Sequence, residues 1–224
     1  GLNQTNENGI SQDHGQVVIT FTRKSDYEDV VVINEVNVQP INVTYGESFS
    51  EYVEIKNMGS EQIDLLGWTL STNSGTTVVD QNILVEANGY ALFGISDNAV
   101  LTLGMSVDWA WGFGAGVELS NSSDKIKLVD VDGFTVDSLE YDTNFPFSSG
   151  VSMELANPLL DNDNVDNWVA ASVSYDTENN LGSPGAINDG LIDVAGIRMS
   201  PVIAAIGSVW FGGDTTFTSY FCSR

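Results

Sequence analysis

The sequence predicts an all-β fold, built as a two-layered β-sandwich. Short runs with apolar residues at alternate positions recur along the chain, separated by Gly, Asn, Asp, Pro and Ser. No apolar pattern of helical period lasts beyond two turns, and no long-period repeat is present. The clearest run is 51–70, EYVEIKNMGSEQIDLLGWTL, which reads as strand, turn, strand. Val53 and Ile55 point one way and Tyr52, Glu54 and Lys56 the other, as in a half-buried strand. Asn57, Gly59 and Ser60 interrupt it, and Leu65, Trp68 and Leu70 resume. Trp buries more apolar surface than any other side chain, so Trp68 is the expected centre of the core.

Taken in order, residues 1–16 are polar and rich in Gly, Asn and Gln, and read as a flexible linker. Residues 17–22 alternate Ile19 and Phe21 with Thr20 and Thr22, an extra strand. After an acidic turn at 25–29, residues 30–38 form a nearly continuous apolar run, expected as a central strand. Residues 39–48 are a loop. Short strands follow at 76–79 and 90–95, the second preceded by the turn signal Asn88-Gly89. Residues 125–129 and 134–141 flank Asp132-Gly133, which predicts a hairpin closed by a tight type I′ turn. Strand-like stretches at 151–155 and 168–173 enclose an Asp/Asn loop at 160–167. The expected division is therefore 1–29, linker plus extra strand; 30–188, sandwich; and 189–224, a C-terminal segment. Within that last segment 202–211 (VIAAIGSVWF) is apolar but only ten residues long. A membrane span needs about twenty, so this run reads as a further strand packed on the sandwich, the start of another domain, or a strand given to a neighbouring molecule in self-assembly.

Thirty-one acidic residues stand against seven basic ones, for a net charge of −24. Phosphate binding needs a basic patch, so nucleic acid is not an expected partner, and anionic membranes would repel the chain. Cations, basic surfaces and a salty outside medium fit the charge, as does simple solubility. The hydrophobic fraction of 42% is that of a folding chain rather than an acidic tail. Cys222 is the one cysteine and cannot form an internal disulfide; His14 is the one histidine, in the polar leader. Ser-His-Asp, Cys-His and His-rich zinc constellations are thereby removed. The first residue is Gly rather than Met, which reads as a mature or trimmed product.

Several stretches occur in the order of a known family. Ile33-Asn34-Glu35-Val36 is followed by Glu51-Tyr52-Val53-Glu54-Ile55-Lys56-Asn57 and Asp64-Leu65-Leu66-Gly67-Trp68-Thr69-Leu70. Then come Leu119-Ser120-Asn121 leading to Asp124, Asp132-Gly133, Val136-Asp137-Ser138 with Tyr141, Ser152-Met153-Glu154-Leu155, Asn167-Trp168-Val169-Ala170 and Gly182-Ser183-Pro184-Gly185. Across about 31–188 the chain resembles the lamin tail domain. Tyr52 stands where that family often has Trp, and Asn121-Ser122-Ser123-Asp124 replaces a more usual N-x-G-D. The resemblance implies an immunoglobulin-like β-sandwich and a binding or scaffolding module without catalytic residues.

Asp161, Asp163 and Asp166, with Asn162 and Asn164, crowd hard oxygen ligands into one loop, a tentative Ca²⁺ site. Val165 at the fifth position is not an EF-hand pattern, and the simpler reading is a solvated turn in which Asp and Asn bond their own backbone. Asp130, Asp132 and Asp137 form a weaker second candidate. Trp109, Trp111 and Phe113 alternate with small residues. If extended they form one aromatic row, a core plug or, if exposed, a tentative ligand-binding platform for sugar rings. Glu35 and Glu54 fall on strands that can be neighbours; paired carboxylates can do acid/base work at glycosidic bonds. Nothing in the sequence signals a cleft or a perturbed pKa, so they read as strand residues that bond backbone or face solvent. Asn3, Asn42 and Asn121 match the glycosylation pattern, which arises easily by chance here. The expected role is a non-catalytic, secreted or cell-surface interaction, adhesion or assembly module with a protein or polysaccharide partner. The alternatives are a Ca²⁺-dependent carbohydrate or surface-ligand binder, and an accessory domain of a secreted nuclease or hydrolase.

Overall fold

The computed structural model describes residues 24–185. The expectations for 1–16, 17–22 and 189–224, with His14, Cys222 and the 202–211 run, lie outside the described residues. The strands are β1 (Val31–Asn37), β2 (Tyr52–Asn57), β3 (Ile63–Asp64), β4 (Thr69–Ser71), β5 (Thr76–Val78) and β6 (Leu84–Val85). They continue with β7 (Tyr90–Gly94), β8 (Trp109–Ala110), β9 (Asp124–Val129), β10 (Thr135–Tyr141), β11 (Met153–Leu155) and β12 (Trp168–Ala170). One sheet runs β12-β11-β1-β2-β7-β8 and the facing sheet β10-β9-β4-β5, with a small β3-β6 ladder beside them. The β7–β8 pair is parallel and the other ladders are antiparallel. As its apolar run predicts, β1 lies inside the six-stranded sheet.

Trp68 sits between the layers, 1% exposed, with the Tyr27 ring 4.9 Å away. Ile33, Ile55, Leu65, Leu70, Phe93 and Ile126 complete the same core. Local bonds aim the indole inward. The N–H of Trp68 donates to Leu65 O (3.0 Å), Gly67 takes φ 80°, and β4 begins one residue later. Asn57 holds the turn after β2: its side-chain amide donates to the carbonyls of Glu61, Val85 and Glu86, and its oxygen accepts from Gly59 N.

Two local expectations change. Along β2 every position is buried, the Tyr52–Glu54–Lys56 face included. The outer face of this sheet carries a second small core of Tyr52, Leu92 and Met105, with Val107 and Tyr175 against it, so both faces are covered. The β9–β10 connection is not a two-residue type I′ turn, because only Gly133 has positive φ, at 84°. Gly133 N donates to Asp130 O and Asp130 N to Phe134 O, closing a three-residue loop. The register then shifts between Thr135 and Asp137.

Candidate interaction site

Three features compete for the functional site: the aromatic row, the buried carboxylates and the clefts beside β10.

The aromatic row is not a surface. Trp109 and Trp111 are buried, Trp109 packing edge-on to Phe93 at 4.9 Å with its indole N–H donating to Asp80 Oδ1 (3.1 Å). Gly112 takes φ 83° and breaks the extended run, so Phe113 leaves the row, 78% exposed and stacked on Phe49. The platform expected of Trp109, Trp111 and Phe113 is therefore corrected to two core indoles and one separate surface ring.

The carboxylates Glu35 and Glu54 lie on neighbouring strands, as the sequence suggested; Glu154 beside them and the segment bonded over the row are what sequence reasoning missed. Register places Glu35 of β1 opposite Glu54 of β2 on one side and Glu154 of β11 on the other. Three like charges in a row across a sheet repel one another unless something offsets them. Segment 182–185 lies over the row. Ser183 donates its N–H (3.0 Å) and hydroxyl (2.9 Å) to Glu35, and Gly185 donates its N–H to Glu54 (2.8 Å). Glu35 also accepts from Ser152 Oγ (2.6 Å) and Tyr52 Oη, and Glu54 accepts from Asn34 Nδ2 (2.9 Å). Both carboxyls are fully buried. Burial pushes the Glu35 carboxyl above its ordinary range against the pull of these donors. Burial pushes Glu54 further up, with the Glu35 charge adding to it. Of the two expected alternatives, bonding backbone or facing solvent, they take the first: both are buried and accept backbone N–H groups of the 182–185 segment. Their oxygens bond the protein's own groups, and they clamp the 182–185 strap onto the sheet. Gly182 allows the close approach: a Cβ there would overlap Tyr52 Oη and lie 2.8 Å from Glu35 Oε1.

The acidic loop behaves as a set of Asx turns. Asp161 Oδ1 accepts from Asp163 N (3.0 Å), Asn164 Oδ1 accepts from Asp166 N (3.1 Å), and Asn167 Nδ2 donates to Asp161 O (2.7 Å). Among the described residues no three His, Cys, Asp or Glu side chains form a group able to hold a metal ion. The turn reading of this loop accounts for these bonds, and the tentative Ca²⁺ site at Asp161, Asp163 and Asp166 is a matter for titration with the ion. Asp130 caps its own hairpin, accepting from Asp132 N, Phe134 N and Ser25 Oγ. Asn42 is buried and bonded to Ser50 and Leu101, out of reach of glycosylation.

The third feature is open to solvent. A cleft of about 650 Å³ lies between the start of β1, the first half of β10 and the 158–163 loop. Its walls carry Val31, Val32, Val136 and the exposed Leu159 and Leu160, with Glu28, Asp29, Asp137, Asp161 and Asp163 among them. A second cleft of about 510 Å³ continues past the other half of β10, lined by Asp124, Glu140 and Asp142. Ser138 and Asp163 line both, so the two clefts together follow β10, the outer strand of its sheet among the described residues. Lys125 is the basic residue lining them, and it is 3.4 Å from Glu140. Asp137 ties the groove to the core: it accepts from Ile33 N (2.6 Å), where the β1 register shifts, and from Asn162 Nδ2 (2.7 Å). Burial holds its carboxyl up at about 6.

A sequence model of the lamin tail domain matches residues 24–143. No curated protein matches the chain significantly. The matched region contains Trp68, the Asn57 turn, Asp124 and the whole of β10; the strap that closes over Glu35 and Glu54 lies beyond it.

Proposed function

The chain belongs to the lamin tail domain family, and from that premise we propose that it is a non-catalytic interaction module of a secreted or cell-surface protein, docking a protein partner in the groove along β10. The observation that carries the reading is the groove itself: solvent-open, partly apolar, and running beside an outer strand whose backbone edge faces away from its sheet. The paired glutamates, the natural catalytic candidates, lie sealed beneath the strap and bonded to it. A protein partner fits better than a polysaccharide, because the two indoles that would stack on sugars are in the core. The net charge of −24 suits an outside medium of high ionic strength.

The test is photo-cross-linking with a benzophenone amino acid placed at Ser138, in the groove, or at Val78, exposed on the far strand β5. Both variants are incubated with the surface fraction of the source cells. Discrete protein adducts at position 138 that are missing at 78 support the proposal. Identical adducts at both positions, or none at 138, overturn it.

A further inference from the structure

We infer that the ligand of this groove is an extended, basic peptide segment that adds as a strand to β10, with Lys or Arg at alternate positions; the inference rests on the proposed docking role of the same surface. Three independent features of the groove lead to it. The first is its shape: the two clefts follow one strand rather than converging on a point, so they suit an elongated occupant. β10 has seven residues, and at about 3.3 Å per residue it offers some 23 Å of edge.

The second feature is topology. Among the described residues β10 pairs with β9 on one side only and ends its sheet. An end strand presents backbone N–H and C=O groups, the template on which a peptide in β conformation gains main-chain hydrogen bonds; the Ser138 N–H is held by Asp137 Oδ1 (2.9 Å), a bond that an added strand would have to replace or leave in place.

The third is charge. Glu28, Asp29, Asp161 and Asp163 flank the first cleft, and Glu140 and Asp142 the second. Among the described lining residues the one lysine, Lys125, already has an acidic neighbour. An acidic segment would be repelled and a neutral one would leave this field unanswered, whereas a basic one is steered in and held. Side chains of an added strand alternate in direction. One set would meet the apolar wall of Val32, Leu159 and Leu160 while the other reaches the acids.

The experiment is fluorescence anisotropy at low ionic strength with three labelled heptapeptides: Lys-Val-Lys-Thr-Lys-Val-Lys, its Glu-for-Lys counterpart, and the basic peptide with Pro in place of the central Thr. The basic peptide is expected to bind at least tenfold more tightly than the acidic one. It is also expected to bind at least tenfold more tightly than the Pro peptide, which cannot complete the ladder. The double variant Asp163→Lys/Glu140→Lys should weaken binding at least tenfold. The control Asp97→Lys/Glu61→Lys, with the same change of charge on exposed residues away from the groove, should weaken it less than threefold. Equal loss in the two variants would mean that net charge attracts the peptide, and would overturn the inference. Equal binding of the Pro and Thr peptides would overturn strand addition. Absence of basic-peptide binding alongside intact cross-linking at Ser138 would overturn this inference and leave the docking role standing.

Discussion

Replacing Glu51 with Gln probes how this acidic chain stores its charge. Glu51 immediately precedes β2 and is 5% exposed. Burial raises its carboxyl from 4.5 to about 7, and Glu47 and Glu118 push the same way; the Leu119 N–H and the Ser48 side chain pull against them. Tyr141 also faces it. Because the folded-state pKa is the higher one, the fold favours the protonated form. The resulting stability is fully present below pH 4.5 and is lost as pH rises through about 7. A difference of about 2.5 units corresponds to about 3 kcal/mol, or some 6–12 °C in Tm for a domain of this size. Asp137, raised from 3.8 to about 6 with burial the main cause, adds a loss of about 3 kcal/mol over a lower window. The assay is urea unfolding followed by Trp fluorescence from pH 4.5 to 8. Wild type should lose stability across this range. Glu51→Gln should lose about 3 kcal/mol less than wild type between pH 4.5 and 8. Relief of general repulsion at low pH acts on both proteins and cancels in that comparison. Wild-type stability that rises with pH, or identical slopes in the two proteins, would refute the reasoning.

The clamp under the strap makes separate predictions. Glu35→Ala strands the Tyr52, Ser152 and Ser183 donors in a buried site and should cost about 3 kcal/mol or more in urea unfolding. Glu35→Gln keeps an acceptor and removes repulsion with Glu54, so its cost should be about 1 kcal/mol; equal costs would contradict the clamp. Gly182→Ala forces a Cβ against Tyr52 and Glu35 and should cost about 1–3 kcal/mol, with faster amide exchange at Ser183 and Gly185. Unchanged exchange there would show that the approach is looser than described. Millimolar Ca²⁺, compared with chelator, should leave Tm within about 1 °C if the acidic loop is only a set of turns; a ligand that binds only the folded state raises it, so a rise of several degrees would mark the loop as an ion site.

Much of the sandwich was legible because its signals are local. Alternation in 51–57 and the Gly-Trp step at 67–68 depend on residues a few positions apart, and the structure places Trp68 in the core as expected. The burial of the Glu54 face of β2 was not legible, because its cover comes from segments around Met105, Tyr175 and Ser183, far along the chain. A glutamate on a strand looks the same whether it meets water or a strap. Alternation in 109–113 suggested a row, but Gly112 ended the extension, and a single positive φ outweighed the pattern. Asp132-Gly133 marked a hairpin correctly and its turn type wrongly, since Asp130 caps a longer loop. The groove left no contiguous signature at all. It is assembled from residues near 28–32, 135–142 and 158–163 whose only shared feature in the sequence is acidity.

The working surface assigned to β10 is tested most directly by amide shifts in NMR spectra of the isotope-labelled chain titrated with the basic heptapeptide. The account predicts perturbations concentrated at 135–141 and 158–163, with slowed exchange of amides on β10. Shifts spread evenly over the acidic surface, or centred on β5 or β8, would contradict it.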